Sequence, residues 1–220
     1  MNDCIMIELD HLCTRLDPHQ LATAFGRLPA AQSLAVPCLG EREREALVSL
    51  VDTLAYRSAR PVMGSAGTPV YQDFELCYDV PAGHTLWALA GHLEKRISRA
   101  IQEAGLQGHD TLRFNDLIVQ RYPPGCRGIT PHRDHVRYRI VVAIFLLSGD
   151  GNFCTCDNRK GAGAKTIPAR PGDLLLMTAP GLAEEQPGPL HFVNGVTHRR
   201  RTIGLRYDAR AMNDDEFQKA

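Results

Sequence analysis

The longest unbroken apolar run in the chain, Ile140 to Leu147, is eight residues long and ends at Ser148-Gly-Asp-Gly-Asn152. With Arg139 in front of it, the run is β-branched and apolar in the manner of a strand buried on both faces. It is far too short to cross a bilayer. Around it, from Thr111 onward, the chain reads as strands punctuated by turns. Leu117 to Tyr122 ends at Pro123-Pro-Gly125. Phe153 to Cys156, Lys165 to Ile167, Asp173 to Met177, Leu190 to Val193 and Thr202 to Tyr207 follow, each bounded by turn residues.

The first half is different. From Glu41 to Tyr56, Ala46, Leu47, Leu50, Val51 and Leu54 fall at helical spacing after Gly40 and a charged first turn. A second helix is predicted from Thr85 to Ala104, with Leu86, Leu89, Leu93, Ile97 and Ile101 as one stripe and Gly105 as its stop. Ser58 to Gln72 reads as a loop, and Phe74 to Tyr78 as a short strand. Helices followed by many short strands predict an α+β fold whose second half forms a sandwich or barrel. The 220 residues suit one domain, and no linker, repeat or low-complexity block divides them. Residues 1–110 would form a mostly helical support, and residues 111–209 the core.

Composition narrows the function classes. Lys and Arg total 25 and Asp and Glu total 25, so bulk electrostatics does not drive binding to nucleic acid, although a local patch still can. The start has no basic n-region ahead of an apolar stretch. The seven cysteines are odd in number and show no disulfide framework. Both features predict a cytoplasmic protein with free thiols and no membrane segment.

One spacing stands out among the nine histidines, His132-Arg-Asp134, although alone it carries little weight. In an extended segment residues two apart share a face, so both side chains can reach one ion. His191, in the apolar strand Gly188-Pro-Leu-His-Phe-Val193, is the best third ligand. Two imidazoles and one carboxylate leave one face of an octahedral metal open, which suits non-haem Fe(II) with a chelating co-substrate and dioxygen. Zinc in such a set more often serves hydrolysis. His198 is an alternative third ligand, Cys126 with Cys154 and Cys156 an alternative thiolate site, and His135 a neighbour on the opposite strand face. Trp87, Tyr71, Phe74 and Tyr78 either line a substrate pocket or belong to the core.

The segment His198-Arg-Arg-Arg-Thr-Ile-Gly-Leu-Arg206 sharpens this. Strand alternation puts Arg200, Thr202, Gly204 and Arg206 on one face, a poor core but a good clamp for a dicarboxylate. A solvated arginine edge is the bland alternative.

In order and spacing these pieces resemble the Fe(II)- and 2-oxoglutarate-dependent dioxygenases, and within them the AlkB-like branch. Asn115-Asp-Leu-Ile-Val-Gln-Arg-Tyr122-Pro-Pro-Gly125 resembles the strand and turn before the metal motif. His132-Arg-Asp134 resembles the motif itself, His191 the distal ligand, and Arg200 with Arg206 the AlkB-like arginine pair. The resemblance covers about residues 111–209. It implies a double-stranded β-helix (jelly-roll) core with the N-terminal helices packed on it, and a substrate-covering role for residues 1–110. It also implies iron held by His132, Asp134 and His191, and 2-oxoglutarate held by Arg200, Arg206 and Tyr122. Gln120 lies on the same strand face, where AlkB-like members often carry asparagine. Decarboxylation of 2-oxoglutarate to succinate with dioxygen would drive hydroxylation or oxidative demethylation of a small molecule, peptide or protein. Alkylated nucleic acid is the alternative and is not favoured, because Arg42, Arg44 and Arg57 are interleaved with Glu41, Glu43 and Glu45 rather than forming a basic stripe. A non-catalytic jelly-roll binding protein is the alternative of another class. The substrate and the oligomeric state are left open.

Overall fold

The computed structural model describes residues 12–64, 67–183 and 185–210. In chain order its elements are α1 (Pro18–Ala31), β1 (Ser33–Pro37), α2 (Glu41–Asp52), β2 (Arg57–Ser58), β3 (Val62–Met63), β4 (Val70–Asp73), β5 (Glu75–Cys77) and α3 (Thr85–Glu103). Then come β6 (Asp116–Tyr122), β7 (Gly128–His132), β8 (Tyr138–Ser148), β9 (Asn152–Cys156), β10 (Lys165–Thr166), β11 (Asp173–Thr178), β12 (Leu190–Asn194) and β13 (Arg200–Asp208). The strands form two antiparallel sheets. One runs β1-β11-β8-β13-β6-β5-β2, the other β10-β9-β12-β7-β4-β3.

Residue parity explains the layering. On β6, β8, β11 and β13, residues such as Leu117, Val119, Phe145, Leu176, Ile203 and Leu205 pack with the helices. Ile118, Tyr122, Val142, Leu175 and Met177 point the other way, into a second core shared with Phe153 and Val193 of the smaller sheet. Successive strand residues alternate in face, so a sheet covered on both sides needs apolar residues at both parities. That is why Ile140 to Leu147 reads as an unbroken run. The stripe Leu86, Leu89, Leu93, Ile97 and Ile101 of α3 is fully buried against this sheet. Among the described residues, no helix is long and apolar enough to cross a membrane.

Three details depart from the sequence expectation. The stretch taken as a loop, Ser58 to Gln72, contributes to β2 and contains β3 and most of β4, while the strand expected over Phe74 to Tyr78 is the three-residue β5. These pieces are exposed or half-buried and too short for a hydrophobic period to register. The helix expected to reach Tyr56 stops at Asp52, where Thr53 turns its hydroxyl back onto the Leu50 carbonyl at 2.7 Å. Finally, α1 and β1 lie in a region where no individual element was expected. Asp17 caps α1 by accepting from the Gln20 N–H at 2.8 Å, Pro18 opens it, and β1 then pairs with β11 at the sheet edge.

β8 carries a bulge near its start. Ile140 has φ of 70°, rare for a β-branched residue, and the β8–β13 register shifts beside it. Its N–H donates to Pro180 O at 2.8 Å and its carbonyl accepts from Ala179 N at 3.0 Å, so the unusual turn is fully bonded. Deeper in the same strand, Phe145 is wholly buried in the helix-facing core. Phe145→Ala is expected to cost about 3–5 kcal/mol of stability, read as a lowered midpoint in urea denaturation.

Candidate metal and dicarboxylate site

The space between the sheets holds a cavity of about 40 Å³ at its polar end. Gln120, Tyr122, His132, Asp134, His191, Arg200, Thr202 and Arg206 all line it, with Ile129, Ile144, Phe153 and Val193 as the apolar wall. Every residue singled out for metal or co-substrate therefore faces one cavity.

His132 ends β7 and lies directly opposite His191 on β12, ring centroids 4.3 Å apart. This closeness depends on Gly128. At φ of 77° it starts β7 so near β12 that an added Cβ would stand 2.0 Å from the Val193 carbonyl oxygen. Asp134 follows two residues beyond His132, past the strand end. The donor atoms of these three residues lie within 4.8 Å of one another. His132 Nδ1 donates to Thr130 O at 2.9 Å and His191 Nδ1 to Pro189 O at 3.2 Å. A carbonyl only accepts, so each ring carries its proton on Nδ1 and offers a free Nε2 lone pair. Burial pushes both imidazoles down, His132 to about 4 with the neighbouring His191 adding to the effect, so both are neutral near pH 7.

Asp134 supplies the charge. Burial alone would raise its carboxyl, but Arg206 and the two imidazoles outweigh burial and hold it below the usual carboxylate value. Its Oδ2 is buried without a hydrogen-bond partner, 3.6 Å from Arg206 Nε. A buried, ionised oxygen beside two neutral imidazole lone pairs fits a divalent cation, and the donor set suits a first-row transition metal.

The two arginines differ from the expected symmetrical clamp. Arg206 is already matched: its Nη1 lies 3.2 Å from Asp116 Oδ1, and Asp134 lies on its other side. Tyr138 donates its hydroxyl to Asp116 Oδ2 at 3.2 Å and packs under the guanidinium. Arg200 is 2% exposed and has no carboxylate in salt-bridge range among the described residues. Its Nη1 donates only to the backbone carbonyls of Asp150 and Gly151, at 3.2 and 3.4 Å, and its Nε is buried without a partner. Burial lowers its pKa from an arginine's usual value, the signature of a charge without a full counter-charge. Tyr122 stands across from Arg200 in the β6–β13 register, and burial raises its phenol strongly, leaving a neutral O–H donor. Gln120 Oε1 is taken by the Thr202 hydroxyl at 3.3 Å.

The alternatives fall elsewhere. His198 is largely exposed and bonded to Asp150 at 2.9 Å, away from the metal group. His135 Nδ1 accepts from the Arg137 N–H at 3.2 Å. Cys154 and Cys156 bond to Thr166 and Asn158 respectively, and among the described residues no cysteine joins the metal-sized cluster. Trp87 packs in the helical core and Phe74 lies against Tyr122 in a tilted ring contact at 4.8 Å, whereas Tyr71 and Tyr78 are exposed. Asp116 was not anticipated. It was discoverable: it precedes Tyr122 by six residues as Arg206 follows Arg200 by six, so antiparallel pairing of Tyr122 with Arg200 places Asp116 opposite Arg206.

No family model and no curated protein matches the chain. Solved structures do. A prolyl hydroxylase from Trichoplax adhaerens, in complex with a hypoxia inducible factor oxygen degradation domain peptide fragment, superposes with a TM-score of 0.61 at 15% identity, covering 88% of this chain and 91% of that one. A 2OG-Fe(II) oxygenase family oxidoreductase from Burkholderia pseudomallei gives 0.58 at 15% identity, over 90% and 93% of the two chains. HygX from Streptomyces hygroscopicus, with nickel and 2-oxoglutarate bound, gives 0.56 at 16%, over 88% and 87%. The fold is thus the double-stranded β-helix found in 2-oxoglutarate oxygenases.

If the triad holds a metal, a divalent transition ion at a hundredfold its Kd should stabilise the fold by about 2.7 kcal/mol. Asp134→Asn should abolish the accompanying rise in Tm measured by calorimetry.

Proposed function

We propose that the protein is an Fe(II)- and 2-oxoglutarate-dependent oxygenase that hydroxylates or oxidatively demethylates a peptide, protein or small molecule. The observation that carries this is the pairing, in one cavity, of a neutral-imidazole and carboxylate triad with a buried guanidinium that lacks a carboxylate. A desolvated, unpaired arginine is costly unless an anion meets it. A dianionic 2-oxo acid supplies that anion.

Bound iron would supply the oxidising chemistry, coupling loss of carbon dioxide from 2-oxoglutarate to oxidation of the substrate by dioxygen. The chain's own part is positioning. His132, Asp134 and His191 would hold the ion, and their Nδ1–carbonyl bonds fix the imidazole planes. Arg200 would bind the distal carboxylate of 2-oxoglutarate, with the Tyr122 hydroxyl donating beside it. Arg206 keeps Asp134 ionised and aimed. Ile129, Ile144, Phe153 and Val193 exclude water from the cavity wall.

For the substrate, a peptide or protein is supported by an open groove of about 730 Å³ whose lining includes Phe74, the ring neighbour of Tyr122, and Gly128 and Thr130, which flank Ile129 of the cavity. Pro61, Val62, Tyr71, Phe74 and Pro123 give it apolar and aromatic walls, and Asp73, Glu75 and Arg127 a mixed charge. The peptide in the Trichoplax complex points the same way. The AlkB-like spacing of the motifs favours nucleic acid, but three of the clustered basic residues that would hold phosphates are paired: Arg201 with Asp52, Arg137 with Asp208 and Arg139 with Glu185. Cysteines 13, 38, 77, 126, 154 and 156 are free thiols, which suits a reducing compartment such as the cytoplasm.

Purified protein with Fe(II), ascorbate and air should convert 2-oxoglutarate to succinate slowly, even without the primary substrate. Arg200→Met, which keeps the volume but not the charge, should weaken 2-oxoglutarate binding about a hundredfold, the cost of removing one partner of a buried charge pair. Wild-type protein that loads metal yet neither binds nor turns over 2-oxoglutarate would favour the non-catalytic jelly-roll alternative.

A further inference from the structure

Asp150 reaches Arg200 by two routes, directly through its main-chain carbonyl and indirectly through the segment that leads into β13. It sits in the turn between β8 and β9, and its carboxylate reaches across to the segment leading into β13. Oδ1 accepts from Thr197 N at 2.7 Å and His198 N at 2.8 Å. Oδ2 accepts from His198 Nδ1 at 2.9 Å and from the Thr197 hydroxyl. These bonds, led by the one from His198, hold the Asp150 carboxyl far below the usual range, so it is ionised across the physiological range. Meanwhile the main-chain carbonyls of Asp150 and Gly151 accept from Arg200 Nη1.

The turn has little freedom to do otherwise. Gly149 and Gly151 adopt φ of 78° and 97°, and a Cβ on Gly149 would stand 2.4 Å from the Arg199 carbonyl oxygen. The Ser148 hydroxyl also donates to that oxygen at 3.2 Å. Two backbone segments are thus pressed together immediately before Arg200, tied by one bond from Ser148 and by the several bonds to the Asp150 carboxylate. The guanidinium has few other restraints, since its Nε is unpartnered and its two carbonyl bonds are long. The arrangement orients Arg200 with neutral acceptors, while the Asp150 carboxylate is turned away and committed elsewhere. The arginine therefore stays aimed without being neutralised.

We propose that Asp150, gripping Thr197 and His198, is a positioning residue that aims Arg200 and thereby sets the cavity's affinity for the distal carboxylate of a 2-oxo diacid. This rests on the proposed function. It also assigns a role to His198, which competes as a metal ligand in the sequence but sits in the clamp in the fold.

Two probes separate the clamp from general loosening. 2-Oxoglutarate carries the distal carboxylate, whereas 2-oxobutyrate has the same 2-oxo acid end without it. Both are titrated calorimetrically, without oxygen, into Fe(II)-loaded wild type, Asp150→Ala, Asp150→Asn and His198→Ala. The clamp predicts about a tenfold weaker Kd for 2-oxoglutarate in Asp150→Ala, equivalent to about 1.4 kcal/mol. Smaller losses are expected for Asp150→Asn and His198→Ala, which keep part of the network. Affinity for 2-oxobutyrate and for Fe(II) should hold in all three. Equal weakening of both acids, or no weakening of 2-oxoglutarate in any variant, would overturn the proposal. Wild-type protein that bound neither acid would instead remove the proposed function itself. Should Asp150→Ala not fold, the two milder variants carry the same comparison.

Discussion

Burying two guanidiniums on one face of a single interior strand is the constraint around which this molecule is organised. An isolated charge in that position is untenable without a partner. β13 lies in the middle of the larger sheet, so Arg200 and Arg206 cannot turn to solvent. The fold answers the two charges differently. Arg206 is matched inside the protein by Asp116 and Asp134, and in return it keeps Asp134 ionised. Arg200 meets only neutral carbonyls and a phenol. One end of the cavity is consequently electrostatically complete except for a cation at Asp134, and the other lacks an anion. A metal ion together with a dicarboxylate bound to it would satisfy both at once.

Much of this was legible in the chain because strand alternation and antiparallel pairing are simple rules. Arg200, Thr202 and Arg206 share a parity, and so do Gln120 and Tyr122; pairing β6 with β13 brings the sets together. His132 and Asp134 are close in sequence, which makes their meeting local. Ile140 to Leu147 declared a doubly buried strand, and α3 declared its stripe. His191 was singled out by its place in an apolar strand, and the family resemblance supported its distance along the chain from His132.

What escaped has a physical reason in each case. β2, β3 and β4 are too short and too exposed to carry a period. α1 contains Pro29 and has no acidic first turn or basic last turn, so its usual terminal signals are weak beyond Asp17 and Pro18. The asymmetry between the two arginines depends on Asp116, whose position opposite Arg206 follows only after the register is known. Asp150 acts through hydrogen bonds spanning 47 and 48 residues, which no spacing rule reports. Sequence pattern picked out residues that line one cavity, whereas the groups that support them emerged only from the folded register.

The central claim is that one cavity takes the metal and the 2-oxo acid together, the acid chelating the ion while Arg200 holds its far end. Adding 2-oxoglutarate to Fe(II)-loaded protein under anaerobic conditions, followed by visible absorbance, tests it most directly. A weak charge-transfer band should grow to saturation at one equivalent in the wild type and be absent in His191→Ala. Protein that binds Fe(II) at the triad but develops no band with saturating 2-oxoglutarate would contradict the account.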